Sequence, residues 1–112
     1  MATSPTVRTL KNLRDKGYVC QIVEKWNQWA HIRIDLFGCI DIVAIKEGEN
    51  GVLGVQCTSS TNTATRFKKM IIIPEIKIWL KCGNRLLVQG WGKNSKGKWI
   101  LKEKEITLKD FK

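Results

Sequence analysis

The chain predicts a mixed α/β (α+β) fold, a central mixed β-sheet flanked by helices. Three observations predict it. Two apolar, β-rich runs, residues 39–45 and 52–57, flank the turn cluster Glu47-Gly48-Glu49-Asn50-Gly51. An N-capped helical period opens the chain at Ser4-Pro5, and two more lie on either side of Pro74. A last pair of strand-like runs surrounds Gly92-Lys93-Asn94-Ser95-Lys96-Gly97. The predicted order is α-β-β-β-α-α-β-β, and residues 1–112 suit a single domain.

In order along the chain, Ser4 is a capping residue followed by proline at the first helical position. Val7, Leu10 and Leu13 recur at helical spacing and Gly17 stops the helix, which spans residues 5–16. Residues 18–24 alternate and are β-branched, a strand ending at Glu24. Residues 25–32 show no period and are expected to be irregular, with Trp26 and Trp29 buried rather than stacked on bases. Next comes the central hairpin, for which Asn50-Gly51 suggests a type I′ turn. Ser59-Ser60-Thr61 caps a helix over residues 62–72 with Ala64, Phe67 and Ile71 inward. Pro74 restarts a helix in which Ile76, Trp79 and Leu80 face the core and Gly83 is the stop. Residues 86–91 and 98–106 form the final strand pair, with Trp91 and Trp99 as a cross-strand contact. The tail, residues 109–112, is expected to fray.

Net charge is +10, from 20 Lys+Arg against 10 Asp+Glu, which favours polyanions, nucleic acid before anionic membrane. No apolar run approaches the roughly 20 residues of a membrane span, and the first residues show no signal-peptide region. The four cysteines form no CxxC and there is one histidine, His31, so neither a zinc site nor a catalytic triad is expected. Cys39 and Cys57 behave as small buried hydrophobes, consistent with a reduced, intracellular (cytoplasmic) protein. No glycine-rich phosphate loop is present.

The chemistry concentrates in the hairpin. Asp41 and Gln56 each interrupt an apolar strand, and a carboxylate there is costly unless it is paired or holds a metal. Neighbouring antiparallel strands bring the two side by side, with Thr58 on the same face and the Cys57 carbonyl between. Two readings stand: an oxygen-rich site for Mg²⁺ or Mn²⁺, or a hydrogen bond between Asp41 and Gln56. Asp35, just ahead of Gly38, either bends toward the same site or caps a turn. Glu24 is a third candidate carboxylate. Asn62, Arg66 and Lys69 share a helix face, with Lys68 beside them. Lys93, Lys96 and Lys98 cluster at the last turn, a phosphate contact or a solvated tip.

The run Gly17-Tyr18-Val19, Glu24-Lys25-Trp26 and Arg33-Ile34-Asp35-Leu36-Phe37-Gly38-Cys39-Ile40-Asp41-Ile42-Val43-Ala44 resembles the PD-(D/E)xK nuclease superfamily. It is most similar to the small phage and Holliday-junction-resolvase-like members. The resemblance implies a restriction-endonuclease-like fold, Mg²⁺ as cofactor and DNA as partner, with RNA as the alternative. It implies Asp41 as a metal ligand, Gln56 at the position of the second acid and Thr58 at that of the catalytic lysine. Thr cannot do the work of that lysine, so Arg66 or Lys69 is the candidate replacement. The polar and basic positions Asn62, Arg33, Arg66, Lys68 and Lys69 then border the nucleic acid. Many resolvase-like relatives are homodimers. The expected function is a Mg²⁺-dependent DNA endonuclease; the alternatives are an inactive DNA-binding protein on the same fold and a structural, partner-binding domain.

Overall fold

The structure is a computed structural model that describes residues 4–111. It is mixed α+β, with three layers. Helix α1 (Pro5–Asp15) leads to β1 (Val19–Ile22), β2 (Lys25–Asn27), β3 (Ile32–Ile34), β4 (Ile42–Ile45) and β5 (Leu53–Ser59). A 3-10 turn (Ser60–Asn62) enters α2 (Thr63–Met70), followed by α3 (Pro74–Lys81), β6 (Arg85–Lys93) and β7 (Trp99–Ile106). The main sheet has the order β1-β4-β5-β6-β7, and β2-β3 form a separate two-stranded ribbon. All pairs are antiparallel except β5-β6, whose connection runs through α2 and α3.

Alternation along the strands divides the core between two faces. Leu10 and Leu13 of α1 cover Ile42, Ala44, Leu53, Val55 and Leu87. Met70 of α2 and Ile76 of α3 cover Ile40, Leu86, Val88 and Ile106 on the other face. Ser4 caps α1, its Oγ accepting from the Val7 N–H at 3.3 Å, with Pro5 in the first turn. Helix α2 lies close against β6 because residue 90 is glycine: a Cβ there would run into the Thr63 hydroxyl and the Ser59 carbonyl. That close approach fixes where Arg66 sits.

Five expectations are corrected. Residues 25–32 are not irregular; with Arg33 and Ile34 they form the β2-β3 ribbon. Its turn is held by Asn27 Oδ1, which accepts from the N–H groups of Trp29 (2.9 Å) and Ala30 (3.0 Å). Trp26 and Trp29 are not buried there; they are 58% and 95% exposed. The central hairpin does not turn at Asn50-Gly51 in a type I′ conformation, because Asn50 lacks the required positive φ. The chain reverses earlier, where the Glu49 N–H donates to the Lys46 carbonyl at 3.0 Å and Gly48 takes φ 90°. The 3-10 turn rotates α2, so Ala64 is exposed; Thr63 and Met70 are buried instead, with Phe67 half-buried.

The last correction concerns Trp91 and Trp99, which are not directly opposite: Trp91 faces Leu101 and Trp99 faces Lys93. Each is engaged by α1 instead. Trp91 Nε1 donates to Thr9 Oγ1 at 3.0 Å, and the Arg8 guanidinium lies 3.6 Å from the centre of a Trp99 ring. In the tail, Asp110 closes a capping box with Thr107 and Phe111 packs against the core. Lys112 lies outside the described residues, as do residues 1–3.

Candidate metal centre

Asp41 is the residue immediately before β4. Its backbone is still held in the ladder: its N–H donates to the Val55 carbonyl (3.0 Å) and its carbonyl accepts from the Val23 N–H (2.9 Å). These bonds fix the carboxylate against the middle of β5. There Asp41 Oδ2 accepts from Gln56 Nε2 and from the Cys57 N–H, both at 2.8 Å. Asp41 is 4% exposed and Gln56 is buried beside it. Of the two arrangements open from the sequence, the Asp41–Gln56 hydrogen bond is present. Gln56 therefore offers Asp41 its amide nitrogen, which also lies 3.3 Å from the Cys57 carbonyl. For its oxygen to become a ligand the amide must turn over.

Two further carboxylates converge on Asp41. Glu24 follows β1 at the base of the ribbon, and Asp35 follows β3 at the ribbon's return. The tight turn after Asp35, in which the Gly38 N–H donates to the Asp35 carbonyl at 3.1 Å and Phe37 and Gly38 take φ 53° and 82°, bends the chain back toward Asp41. One oxygen from each of Glu24, Asp35 and Asp41 lies within 4.8 Å of the others, so this cluster could hold a metal ion. Like charges so close do not ionise together easily. Burial pushes the Asp41 carboxyl up to about 8; the Cys57 N–H opposes this, while the charges of Asp35 and Glu24 add to it.

The acids line a cleft of 530 Å³ whose walls include Arg33, Gln56, Cys57 and Arg66. The residues around Ser4 at the start of α1 form one side. Arg33 Nη1 lies 3.3 Å from Glu24 Oε1. Thus Glu24, Arg33, Asp35, Asp41, Gln56, Cys57 and Arg66 are brought together. Thr58 is buried on the same face of β5 as Gln56 but contributes nothing to the cleft lining. Asn62 in the 3-10 turn and Lys68 and Lys69 on α2 are exposed and likewise stand outside the lining. Lys93, Lys96 and Lys98 are exposed around the β6-β7 turn, with the Lys93 ammonium 5.2 Å from the centre of a Trp99 ring.

Cys39 and Cys57 add no reactive group. Burial pushes the Cys57 thiol up to about 12 against the opposing hydrogen bond from Thr9. Burial, with Asp35 and Asp41 adding to it, pushes Cys39 up to about 12. Both are thiols at neutral pH, poor nucleophiles and poor metal ligands. The donor set is therefore oxygen only, which suits a hard divalent cation. The contribution of α1 to the cleft wall was missed in the sequence. Ser4-Pro5 marks the helix start but says nothing of what the helix end faces. No helix among the described residues is long and apolar enough to cross a membrane. Comparison with protein-family models, curated proteins and solved structures finds no match to this chain.

Proposed function

We propose that the chain is a Mg²⁺- or Mn²⁺-dependent phosphodiesterase acting on DNA, with the cleft around Asp41 as its active site. The observation that carries this reading is the convergence of Glu24, Asp35 and Asp41 within 4.8 Å in a chain of net charge +10. A protein with twice as many cations as acids has concentrated three acids in one cleft, where they repel one another and would repel a polyanion. A bound divalent cation offsets both penalties.

Glu24, Asp35 and Asp41 would hold the cation. When bound, it would lower the pKa of an attacking water and neutralise the scissile phosphate. The chain's own residues do the rest. The Cys57 N–H and the Gln56 amide hold Asp41 in one orientation. Arg66, projecting from α2 into the cleft, supplies fixed positive charge where negative charge grows on the phosphate oxygens, the role the absent lysine would have had at Thr58. Arg33 supplies a second cation in the cleft wall and keeps Glu24 paired. Proximity favours Arg66 over Lys69, because Arg66 alone of the two lines the cleft.

The test is incubation of labelled linear, nicked and four-way DNA with Mg²⁺, Mn²⁺ or EDTA. Metal-dependent cleavage of any of them is expected. Binding without cleavage under either metal would replace this reading with that of an inactive DNA-binding protein.

A further inference from the structure

The β2-β3 ribbon is the segment that the core does not explain. Trp29 at its turn is 95% exposed and Trp26 is 58% exposed. An apolar side chain of that size held in water adds little buried area to the core. The ribbon is nevertheless ordered locally: Asn27 Oδ1 takes two turn N–H groups, and His31 adopts the left-handed φ of 54° that completes the reversal. Trp26 packs edge-on against His31 with ring centres 6.4 Å apart. The backbone is thus shaped to carry tryptophans that stay largely exposed.

Position and charge identify what would cover them. The ribbon springs from the acid cluster: Glu24 precedes β2 and Asp35 follows β3. Trp26 is directly opposite Arg33 in the ribbon, so the two share one face, and Arg33 also lines the metal cleft. Residues 25–34 carry Lys25 and Arg33 and no acid. Lys25, Trp26, Asn27, Gln28, Trp29 and Ile34 line a recess of 380 Å³. Three residues per strand, at about 3.3 Å each, carry the turn about 10 Å from the acids. That is about three nucleotides of a DNA strand at roughly 3.4 Å each. An aromatic pair flanked by cations and amides is the surface that stacks bases and tracks their phosphates.

We propose that the β2-β3 ribbon is a stacking surface for unpaired nucleotides of DNA, so that the cleft is presented with single-stranded or branched DNA rather than continuous duplex. This rests on the reading of the cleft as a DNA site. A paired base has its faces covered by its neighbours; an unpaired one offers them to Trp26 and Trp29.

The test measures affinity in EDTA at fixed salt, by anisotropy, for a labelled oligothymidylate and a labelled blunt duplex. Wild type is compared with Trp26→Ala, Trp29→Ala and the double variant, with circular dichroism confirming that each is folded. Each substitution should weaken oligothymidylate binding roughly tenfold and leave the duplex within about twofold. Tryptophan emission of the wild type should be quenched by oligothymidylate. Equal losses on both DNAs, or no loss on either, would overturn the proposal. So would a wild-type dimer that the double variant converts to a monomer, since the ribbon would then be a self-association face. Cleavage with Mg²⁺ is scored separately. Strand-selective, tryptophan-dependent binding without cleavage would leave the stacking surface standing and remove the phosphodiesterase. Cleavage with tryptophan-independent binding would do the reverse.

Discussion

The three acids of the cleft and the ribbon come from one stretch of chain, residues 24–41, and they differ in how their side chains are held. In the cleft, Asp41 is buried, takes two hydrogen bonds through one oxygen, and has Glu24 and Asp35 beside it. In the ribbon, Trp29 is fixed only through its backbone and its indole meets water. A buried, oriented carboxylate can be specific for a small charged ligand because moving it breaks hydrogen bonds. An exposed indole on a fixed turn can accept any planar partner at little cost in reorganisation. On the proposed reading, chemistry falls to the cleft and substrate form to the ribbon.

The sharpest way to break that assignment is Asp41→Ala. Cleavage should drop to the level seen with EDTA, while DNA affinity stays the same or rises, because a negative charge near phosphate has gone. The ribbon variants should do the opposite, weakening binding to unpaired DNA with much less effect on turnover of bound substrate. If Asp41→Ala cleaves as the wild type does, Asp41 is structural and the division of labour fails.

Arg66→Ala should lower kcat roughly a hundredfold with little change in DNA affinity, because a contact made mainly in the transition state appears in kcat. Lys69→Ala, on the same helix but outside the cleft lining, should change kcat by less than about twofold. Equal effects of the two would make α2 a general phosphate-binding face.

Gln56→Glu replaces the amide that donates to Asp41 at 2.8 Å with a further carboxylate. Metal-free protein should lose stability through the new repulsion, and the metal should bind roughly tenfold more tightly. Thermal melts with and without Mn²⁺ should therefore be farther apart for Gln56→Glu than for wild type. A variant with an unchanged gap would mean that position 56 lies outside the cation's field.

A separate effect is on stability in the absence of metal. The folded Asp41 carboxyl, at about 8, lies above the ordinary unfolded value near 3.9, so the folded state holds a proton that the unfolded state releases. This contribution is fully present below about pH 4, declines as pH rises and is lost once pH passes about 8. The melting temperature in EDTA should fall between those limits, and the wild-type slope should be steeper than that of Asp41→Asn.

Much of this was legible in the sequence for physical reasons. The hairpin around residues 46–51 announces itself because two buried strands must be apolar and their connection must be polar and glycine-rich. Asp41 and Gln56 stood out because a polar group in such a strand demands a partner, and each is the other's partner. Glu24 and Asp35 were visible only as acids near strand ends; their convergence depends on the ribbon. The ribbon was hidden because its reversal uses no glycine, relying on the Asn27 side chain and a left-handed His31. The partners of Trp91 and Trp99 were hidden because Thr9 and Arg8 lie on α1, more than eighty residues away in sequence. Asn50-Gly51 was a strong local signal that lost to the turn at residues 46–49, three residues earlier.

The claim that most needs testing is that the three acids hold a cation. Isothermal titration of Mn²⁺ into the metal-free wild type and into Asp35→Asn addresses it directly, since Asp35 is half-buried at a turn and its amide variant keeps the same shape. The account predicts saturable binding near one equivalent in the wild type, weakened at least tenfold in Asp35→Asn. Wild-type binding that is absent, or identical in the variant, would contradict it.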